Sequence, residues 1–423
     1  ISIIGNWSRY KPKKSVAIKM DNDDYGDKVL KYSFFKTRPE AKKMKSFNLR
    51  NNGNRFWTDY IGDAMLTSLM EGTDVDYQRS LQVVVFYNGK YYGIHDMRER
   101  FNKHYVETNY GIDANSVTMV KHLGHDVTAS NGSVDEYKTL LSFVAQNDFS
   151  GENNKNYEMV KTLMDVGNFA DYMAAEIYIH NGDWPNNNVR AWKSPEQPWK
   201  FMVYDLDHGF DWMWGVNGGE FSQSTDIFPW IKKGGGNKPC KDEGCFANLY
   251  IQLIKNPEFQ RVFLNRSAMM LQNNLNGANV TRVVDAMTAT IDTAEINRDL
   301  KKFKQDEMYY KNSCGKGFSK TGSCLKEWSE ERDASVVQDY YFEFGMTSMV
   351  TMNLNVTGNG YIAVEGRPAP TPTYAGKFFA GIGMVITAVP VSGSVFTGWS
   401  DGELANPRFI LNEDGASYTA VFK

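Results

Sequence analysis

Residues 81–97 read Leu-Gln-Val-Val-Val-Phe-Tyr-Asn-Gly-Lys-Tyr-Tyr-Gly-Ile-His-Asp-Met and carry the clearest structural signal in the chain. Two runs rich in β-branched and aromatic residues flank Asn88-Gly89. That dipeptide suits a type I′ turn, which requires positive φ at both central positions. The stretch therefore predicts a β-hairpin. Short segments at 16–18 and 45–49, separated by polar turns, predict two strands that precede it.

One helix is predicted between these strands and the hairpin. Over residues 58–70, apolar side chains recur on one helical face, at Ile61, Met65, Leu66 and Leu69. Strands, one helix and a hairpin together predict a small α+β lobe.

The pattern becomes helical from about residue 133. The predicted helices cover Tyr137–Val144, Tyr157–Met164, Asn168–Ile179, Phe246–Lys255, Pro257–Leu275, Val280–Leu300 and Trp328–Phe344. Asn168 is the expected N-cap of the third. A β-rich lobe followed by a helical lobe predicts a bilobal α+β domain, with the lobe division near residues 100–130. Clefts between lobes are preferred sites for ligands.

The composition changes again past Met346, where Gly, Pro, Val and Thr dominate. The runs Gly393-Ser-Val-Phe-Thr-Gly-Trp-Ser-Asp-Gly402 and Tyr418-Thr-Ala-Val-Phe422 resemble bacterial extracellular β-repeat modules related to the InlB B-repeat. We therefore expect a larger domain over 1–345 and a small all-β module over 350–423. The resemblance implies a secreted or cell-surface setting, with possible cell-surface or glycan contact through the module.

Length and charge narrow the function classes. A chain of 423 residues is long enough for two or more domains. The 47 basic and 50 acidic residues give a net charge of -3, which argues against a dedicated nucleic-acid binder. No segment is long and apolar enough to predict a transmembrane helix. The first residues, 1–5, do not read as a signal peptide.

The four cysteines form two local pairs, Cys240/Cys245 and Cys314/Cys324, each in a polar loop. An even count in loops favours one or two disulfides and an oxidising compartment. Unpaired thiols and a zinc site are the alternatives, although the spacing is too wide for common zinc motifs.

Two acidic blocks carry the chemistry. Asp183 lies in a loop after a predicted helix, and Asn188 follows five residues later. Asp205 and Asp207 end a short apolar strand that begins near Trp199. Phosphoryl transfer needs a carboxylate to accept the proton of the attacking hydroxyl. It also needs an amide and a further carboxylate to hold the metal. Protein kinases supply these with an Asp, an Asn five residues later and an Asp at the end of a following strand, and Asp183, Asn188 and Asp205 have that order and that first spacing. Turn formation and helix capping are the structural alternatives for these residues.

Four blocks resemble the CotH family of spore-coat-type kinases. They are Phe47-Asn-Leu-Arg-Asn-Asn-Gly-Asn54, the hairpin with Met97-Arg-Glu-Arg100, Asn181-Gly-Asp-Trp-Pro-x-x-Asn188 and Tyr204-Asp-Leu-Asp-x-x-Phe210. The resemblance implies a protein-kinase-like fold, ATP, Mg2+ or Mn2+, and phosphate transfer to a protein side chain.

The resemblance also implies roles for particular residues. Asp183 would be the catalytic carboxylate, with Asn188, Asp205 and Asp207 as metal ligands.

Three residues of the first lobe are assigned to the nucleotide. Arg50 would contact its phosphates, Asp63 would orient Arg50, and Glu99 would face it near the hinge. Lys45 is the alternative to Arg50 as the phosphate contact, and Asp59 is the alternative to Asp63 as its partner. The first lobe has no Gly-x-Gly-x-x-Gly motif.

The leading hypothesis is a kinase that phosphorylates Ser, Thr or Tyr on a secreted or surface protein, possibly itself. The second is a pseudokinase or structural surface protein. The third is a glycan-active enzyme with a tryptophan platform, drawn from Trp184, Trp192, Trp199, Trp212 and Trp214. For these tryptophans, core and pocket wall are the favoured interpretation, and polar packing is favoured for all six histidines.

Overall fold

The computed structural model describes residues 1–20, 26–124, 126–210, 222–235, 243–305, 314 and 317–423. The protein is a mixed α+β structure with an all-β C-terminal part. Searched over those ranges, it has no helix long and apolar enough to cross a membrane.

The first lobe is built on a five-stranded antiparallel sheet in the order β1-β2-β3-β5-β4. Its strands are β1 Ser2–Ile3, β2 Val16–Lys19, β3 Ser46–Arg50, β4 Ser80–Tyr87 and β5 Lys90–Glu99. The predicted hairpin is β4–β5, and Asn88 and Gly89 have φ values of 50° and 75°, which confirms the expected turn. The registers pair Arg50 with Asp96 and Phe47 with Glu99.

The predicted helix of this lobe is shorter than expected. A 3-10 helix, Gly53–Trp57, precedes α1, which covers Gly62–Ser68. Ile61, Met65 and Leu66 are fully buried, which confirms the apolar face. Before the helix, the Asp59 carboxylate accepts hydrogen bonds from the N–H groups of the N-cap residue 61 and of residue 62, which have no acceptor within the helix.

A second antiparallel sheet, in the order β7-β6-β8-β9, lies at the start of the second lobe and differs from the helical prediction. Its strands are β6 Thr118–Leu123, β7 Asp126–Asn131, β8 Asn187–Ser194 and β9 Gln197–Met202. Most of β7 is exposed, so the alternation of apolar residues that reveals a strand is absent there. Asp205 follows β9 by three residues.

Eleven α-helices lie within the described ranges. Besides α1 they are α2 Lys103–Tyr110, α3 Asp135–Gln146, α4 Lys155–Leu163, α5 Val166–Ile179, α6 Phe228–Lys232, α7 Ala247–Leu253, α8 Pro257–Asn273, α9 Gly277–Thr288, α10 Thr293–Phe303 and α11 Ser323–Phe344. Nine of the eleven, all but α2 and α6, match the predicted regions or parts of them. The cap of α5 is Asp165, whose carboxylate accepts from the N–H of Asn168, so the prediction of Asn168 as N-cap was wrong. The helix predicted over Val280–Leu300 is two helices, because Asp292 caps a new start at α10.

The C-terminal part consists of two four-stranded sheets, in the orders β13-β10-β17-β15 and β12-β11-β14-β16. The strands are β10 Met349–Thr357, β11 Gly360–Val364, β12 Arg367–Pro368, β13 Thr373–Phe379, β14 Gly383–Pro390, β15 Phe396–Trp399, β16 Arg408–Leu411 and β17 Ser417–Phe422. The buried faces of both sheets join the main hydrophobic core of the protein.

Buried charges also attach this β-rich part to the helices. Arg367 on β12 donates to the Asp171 carboxylate of α5 over 2.7 Å. Arg266 on α8 donates to both oxygens of the same carboxylate, over 2.9 and 2.8 Å. Because Asp171 is fully buried, both guanidinium groups are needed to compensate its desolvation.

Cys314 and Cys324 form a disulfide, which confirms the prediction for that pair. Cys245 is also disulfide-bonded, and no described cysteine is free. Cys240 lies outside the described residues.

Candidate active site

Two loops meet at the centre of the candidate site. The first follows α5 and contains Asp183; the second follows β9 and contains Asp205. The N–H of Phe210 donates to the carbonyl of Ile179 over 2.8 Å, which fixes one loop against the other. The Asn188 amide then joins them, because its Nδ2 donates to Asp183 Oδ2 over 3.0 Å and to the Asp205 carbonyl over 3.3 Å.

Asp183 is held from both sides by amides. Asn187 Nδ2 donates to Oδ1 and Asn188 Nδ2 to Oδ2, each over 3.0 Å. Both oxygens therefore have fixed directions, while the side chain stays partly exposed. An oriented, accessible carboxylate is what a proton acceptor at this position requires.

Arg50, the last residue of β3, connects the small lobe to the second loop. Its Nη2 lies 2.6 Å from Asp205 Oδ1, 3.1 Å from Asp63 Oδ2 and 3.8 Å from Asp207 Oδ2. The two alternative residues have other partners, since Lys45 pairs with Glu107 at the surface and Asp59 pairs with Arg55. The pairing of Arg50 with Asp63 is thus the one that the structure contains.

Asp63 is fully buried in the first turn of α1. Burial alone would raise its pKa, but the guanidinium groups of Arg98 and Arg50 outweigh burial and hold the pKa below its ordinary value. Arg98 Nη1 lies 2.8 Å from Oδ2, and the N–H of Leu206 donates to Oδ1 over 3.0 Å. Asp63 therefore positions both Arg50 and the loop that carries Asp205.

Asp207 is buried in a less favourable setting. Its carboxylate accepts from the N–H of Asn54 over 2.8 Å and from Asn54 Nδ2 over 3.2 Å. Burial, and then the negative charges of Asp205 and Asp63, raise the pKa of Asp207 well above its ordinary value, against a smaller opposing effect of Arg50. The positive charge near Asp207 therefore does not balance the negative charges around it.

The cluster of charged residues around Arg50 contains more carboxylates than guanidinium groups. Arg50 and Arg98 are the two guanidinium groups, and they face four carboxylates, those of Asp63, Asp96, Asp205 and Asp207. Fully ionised, the group has a formal excess of two negative charges. That excess matches one divalent cation.

Left-handed backbone is concentrated at the same place. Asn52, Gly53, Asn188 and Asp205 all have φ between 57° and 68°. At Gly53 both the positive φ and the lack of space disfavour any side chain, because a Cβ atom would lie 2.1 Å from Asp207 Oδ2. Non-regular backbone of this kind tends to occur where side chains are aimed at a ligand.

Models of known protein families match two parts of the chain. The model of the family described as CotH kinase protein matches residues 1–336. The chain belongs to the CotH kinase family. The model of the divergent InlB B-repeat domain matches residues 350–423.

Among solved structures, the chain is similar to the crystal structure of the Helicobacter pylori proinflammatory kinase CtkA. The identity is 10%, the TM-score is 0.27, and the match covers 69% of this chain and 92% of that chain. At so low a score, the family assignment rests on the CotH model alone. No curated protein matches the chain.

One predicted site residue of this CotH-family chain lies apart from the cluster. Glu99 is three positions along β5 from Asp96, the residue paired with Arg50. Its carboxylate accepts from Arg79 Nη1 over 3.1 Å and from Asn109 Nδ2 over 3.2 Å. The structure thus brings Arg50, Asp63, Asp205 and Asp207 together, adjoined by Asp183 and Asn188. Contact of Glu99 with the nucleotide stays a prediction.

The helix that precedes the Asp183 loop, α5, contributes contacts to this loop that the sequence did not reveal. Asn181 Nδ2 donates to Glu176 of α5 over 3.1 Å, and Asn181 Oδ1 accepts from the N–H of Asp183 over 3.3 Å. Burial raises the pKa of Glu176 to about 8. Trp184 Nε1 donates to Tyr172 of the same helix over 2.9 Å. Nothing in the sequence indicates that Glu176, a carboxyl residue within a helix, contacts the loop that follows that helix.

The described tryptophans of the predicted list serve packing. Trp184, Trp192 and Trp199 are at most 2% exposed, so they form core and not an exposed sugar platform. Trp212, Trp214 and His125 lie outside the described residues. In the part of the chain that is described, no group of three or more His, Cys, Asp or Glu side chains is arranged to hold a metal ion.

Proposed function

We propose that this CotH-family protein is an ATP-dependent protein kinase that transfers the γ-phosphate to a Ser, Thr or Tyr hydroxyl of a secreted or cell-surface protein, possibly itself. The family is a kinase family. The observation that supports the catalytic assignment is the position of Asn188, whose amide contacts both the Asp183 carboxylate and the Asp205 backbone. The three residues thus lie together, and their order along the chain is that of the catalytic and metal-binding residues of protein kinases.

In this proposal, Asp183 accepts the proton of the attacking hydroxyl. The hydroxyl oxygen forms a bond to the γ-phosphorus as the bond from that phosphorus to the β,γ-bridging oxygen breaks, and ADP departs with the bond electrons. Asn187 and Asn188 orient the carboxylate for this step. Arg50 is assigned to the phosphate oxygens, with Asp63 and Arg98 fixing its direction.

The donor set fits a divalent cation and a triphosphate. Asp205, Asp207 and Asn188 offer carboxylate and amide oxygens, which Mg2+ and Mn2+ prefer. Kinase sites commonly hold Mg2+ with one or two carboxylates and complete its shell with substrate phosphates and water. When bound, the cation would neutralise the charge that develops on the phosphates. The negative excess of the cluster supports this assignment.

We further propose an extracytoplasmic location and a partner-binding role for the C-terminal module. The disulfide Cys314–Cys324 favours an oxidising compartment. The InlB B-repeat match suggests contact with a surface, a glycan or a protein partner.

The test is phosphotransfer with labelled ATP and Mn2+, with the protein itself and generic protein substrates as acceptors. Asp183→Asn should abolish transfer while leaving ATP binding, and Asp205→Asn should weaken metal-dependent ATP binding. Asp126→Asn, an exposed carboxylate on β7, is the matched control and should change neither. Unchanged transfer in Asp183→Asn would refute the assignment.

One observation favours the second candidate, a pseudokinase or structural surface protein. The connection between β1 and β2, residues 4–15, contains one glycine and no Gly-rich motif. Calorimetry of the intact protein with Mn2+ separates the two functions. Absence of ATP binding would favour the pseudokinase.

A further inference from the structure

The β1–β2 connection lies close to the acidic cluster. Residues Trp7–Tyr10 form a 3-10 helix that packs against the second 3-10 helix, Gly53–Trp57. The first turn of that second helix holds Asp207 through Asn54. The fold therefore places this connection over the same helix that supports the candidate metal ligand.

Lys11 follows the first 3-10 helix. Its Nζ lies 5.6 Å from the centroid of the Trp57 ring, and its side chain is partly buried. The charge of Asp207 attracts the ammonium, although burial has the larger effect and lowers the pKa of Lys11. Within the described ranges, no carboxylate lies within 4.0 Å of this ammonium.

The neighbouring lysines already have partners. Lys13 is buried and pairs with Asp299 of α10 over 2.7 Å. Lys14 donates to the carbonyls of Arg9 and Lys11, each over 2.7 Å. Lys11 is thus the lysine of this connection whose ammonium remains available to a ligand.

We propose that Lys11 binds phosphate oxygens of the nucleoside triphosphate, so that the β1–β2 connection serves in place of a Gly-rich loop. This inference rests on the proposed kinase function. An ammonium over an aromatic ring, attracted by the Asp207 carboxylate that is assigned to the cation, suits an anion bound to that cation. Since Asp207 is assigned to the cation and not to the acceptor, the triphosphate is favoured over an acidic acceptor peptide.

The test is calorimetry of the full chain with Mn2+ and ATP, ADP or adenosine. Lys11→Met keeps an apolar stem over Trp57 and should weaken ATP binding about tenfold or more, since it removes a charge-assisted contact. Adenosine binding should not change, and Lys11→Arg should restore most of the affinity for ATP. Lys19→Met, an exposed lysine on β2, is the matched control. Circular dichroism of each variant checks the fold.

The possible failures are distinguishable. If the wild-type protein binds no ATP, the proposed function fails, and this inference with it. If wild type binds ATP and Lys11→Met binds it equally well, the inference alone is refuted. It is also refuted if Lys11→Met raises the KM for the acceptor protein while ATP affinity stays unchanged, because Lys11 would then contact the acceptor.

Discussion

Replacement of Asp207 by asparagine should stabilise the metal-free protein. Arg50 Nη2 lies 2.6 Å from Asp205 Oδ1, 3.1 Å from Asp63 Oδ2 and 3.8 Å from Asp207 Oδ2. The Asp207 oxygen is therefore at most about 6.4 Å from the Asp205 oxygen and about 6.9 Å from the Asp63 oxygen. Three carboxylates share one guanidinium nitrogen, and Asp207 is the most distant from it.

These distances give the magnitude. At an effective dielectric constant of about 20, repulsion of Asp207 by the two carboxylates amounts to at least about 2.6 and 2.4 kcal/mol, against an attraction to Arg50 of about 4.4 kcal/mol. The ion pair thus fails to offset the repulsion, and the desolvation of a 4%-exposed carboxylate is added to the cost. Asparagine removes the charge but loses about 1 kcal/mol of hydrogen bonding from Asn54. We expect a net gain of about 1–3 kcal/mol in the free energy of unfolding.

The assay is urea unfolding of wild type and Asp207→Asn in a chelating buffer, followed by tryptophan fluorescence, and repeated with Mn2+. Mn2+ at about one hundred times its Kd should add about 2.7 kcal/mol to the wild type and much less to the variant, which lacks a ligand. Asp299→Asn is the control. The same substitution there breaks the buried pair with Lys13, so it should cost about 3–5 kcal/mol. A loss of stability in Asp207→Asn without metal, or an undiminished response to Mn2+, would refute the reasoning.

Three further predictions test the surroundings of the site. Gly53→Ala should abolish metal-dependent ATP binding in calorimetry, because its Cβ would lie 2.1 Å from Asp207 Oδ2 at a φ of 59°; normal binding would contradict this. Burial raises the pKa of Glu176 to about 8, so wild-type stability should fall as the pH rises from about 5 to 8, since the unfolded chain releases this proton first. Measured as melting temperature against pH, this fall should be smaller in Glu176→Gln than in the wild type, and equal slopes for the two proteins would refute the prediction. Arg367→Met should cost about 2–3 kcal/mol in urea unfolding, less than a full broken pair because Asp171 keeps its second guanidinium; a cost below about 0.5 kcal/mol would contradict it.

Local patterns predicted much of the fold. The hairpin follows from two β-rich runs and a dipeptide that tolerates positive φ, and α1 follows from four apolar residues at helical spacing. Both patterns involve residues that lie close together in the sequence. In the second sheet the strand that begins near Trp199 was predicted and is β9, but β6, β7 and β8 were not predicted; β7 is mostly exposed and lacks the alternation that reveals a strand. Their pairing is a tertiary effect.

The site was predictable to the extent that its residues lie in motifs. Asp183 and Asn188 are five residues apart in one loop, and their contact follows from that spacing. The contact of Arg50 with Asp205 spans 155 positions and was not predicted, since the family resemblance assigned Arg50 to the phosphates and Asp205 to the metal. Arg98 lies in a block that resembles the family but was assigned no role, and Glu176 had no signal. Each is buried in a strand or helix, where a charged residue looks like any other in the sequence until its partner is known.

The β-rich C-terminal part contacts a helix that leads into the active site. Arg367 binds Asp171 in α5, and α5 ends at Ile179, four positions before Asp183. The same helix presents Glu176 to the loop through Asn181. Because α5 is fully buried over most of its length, a shift at one end is transmitted along it and not absorbed by solvent. Loss of the Arg367 contact should therefore affect the orientation of the loop that carries Asp183 as well as the stability of the fold, which an appended, independently moving module would not do.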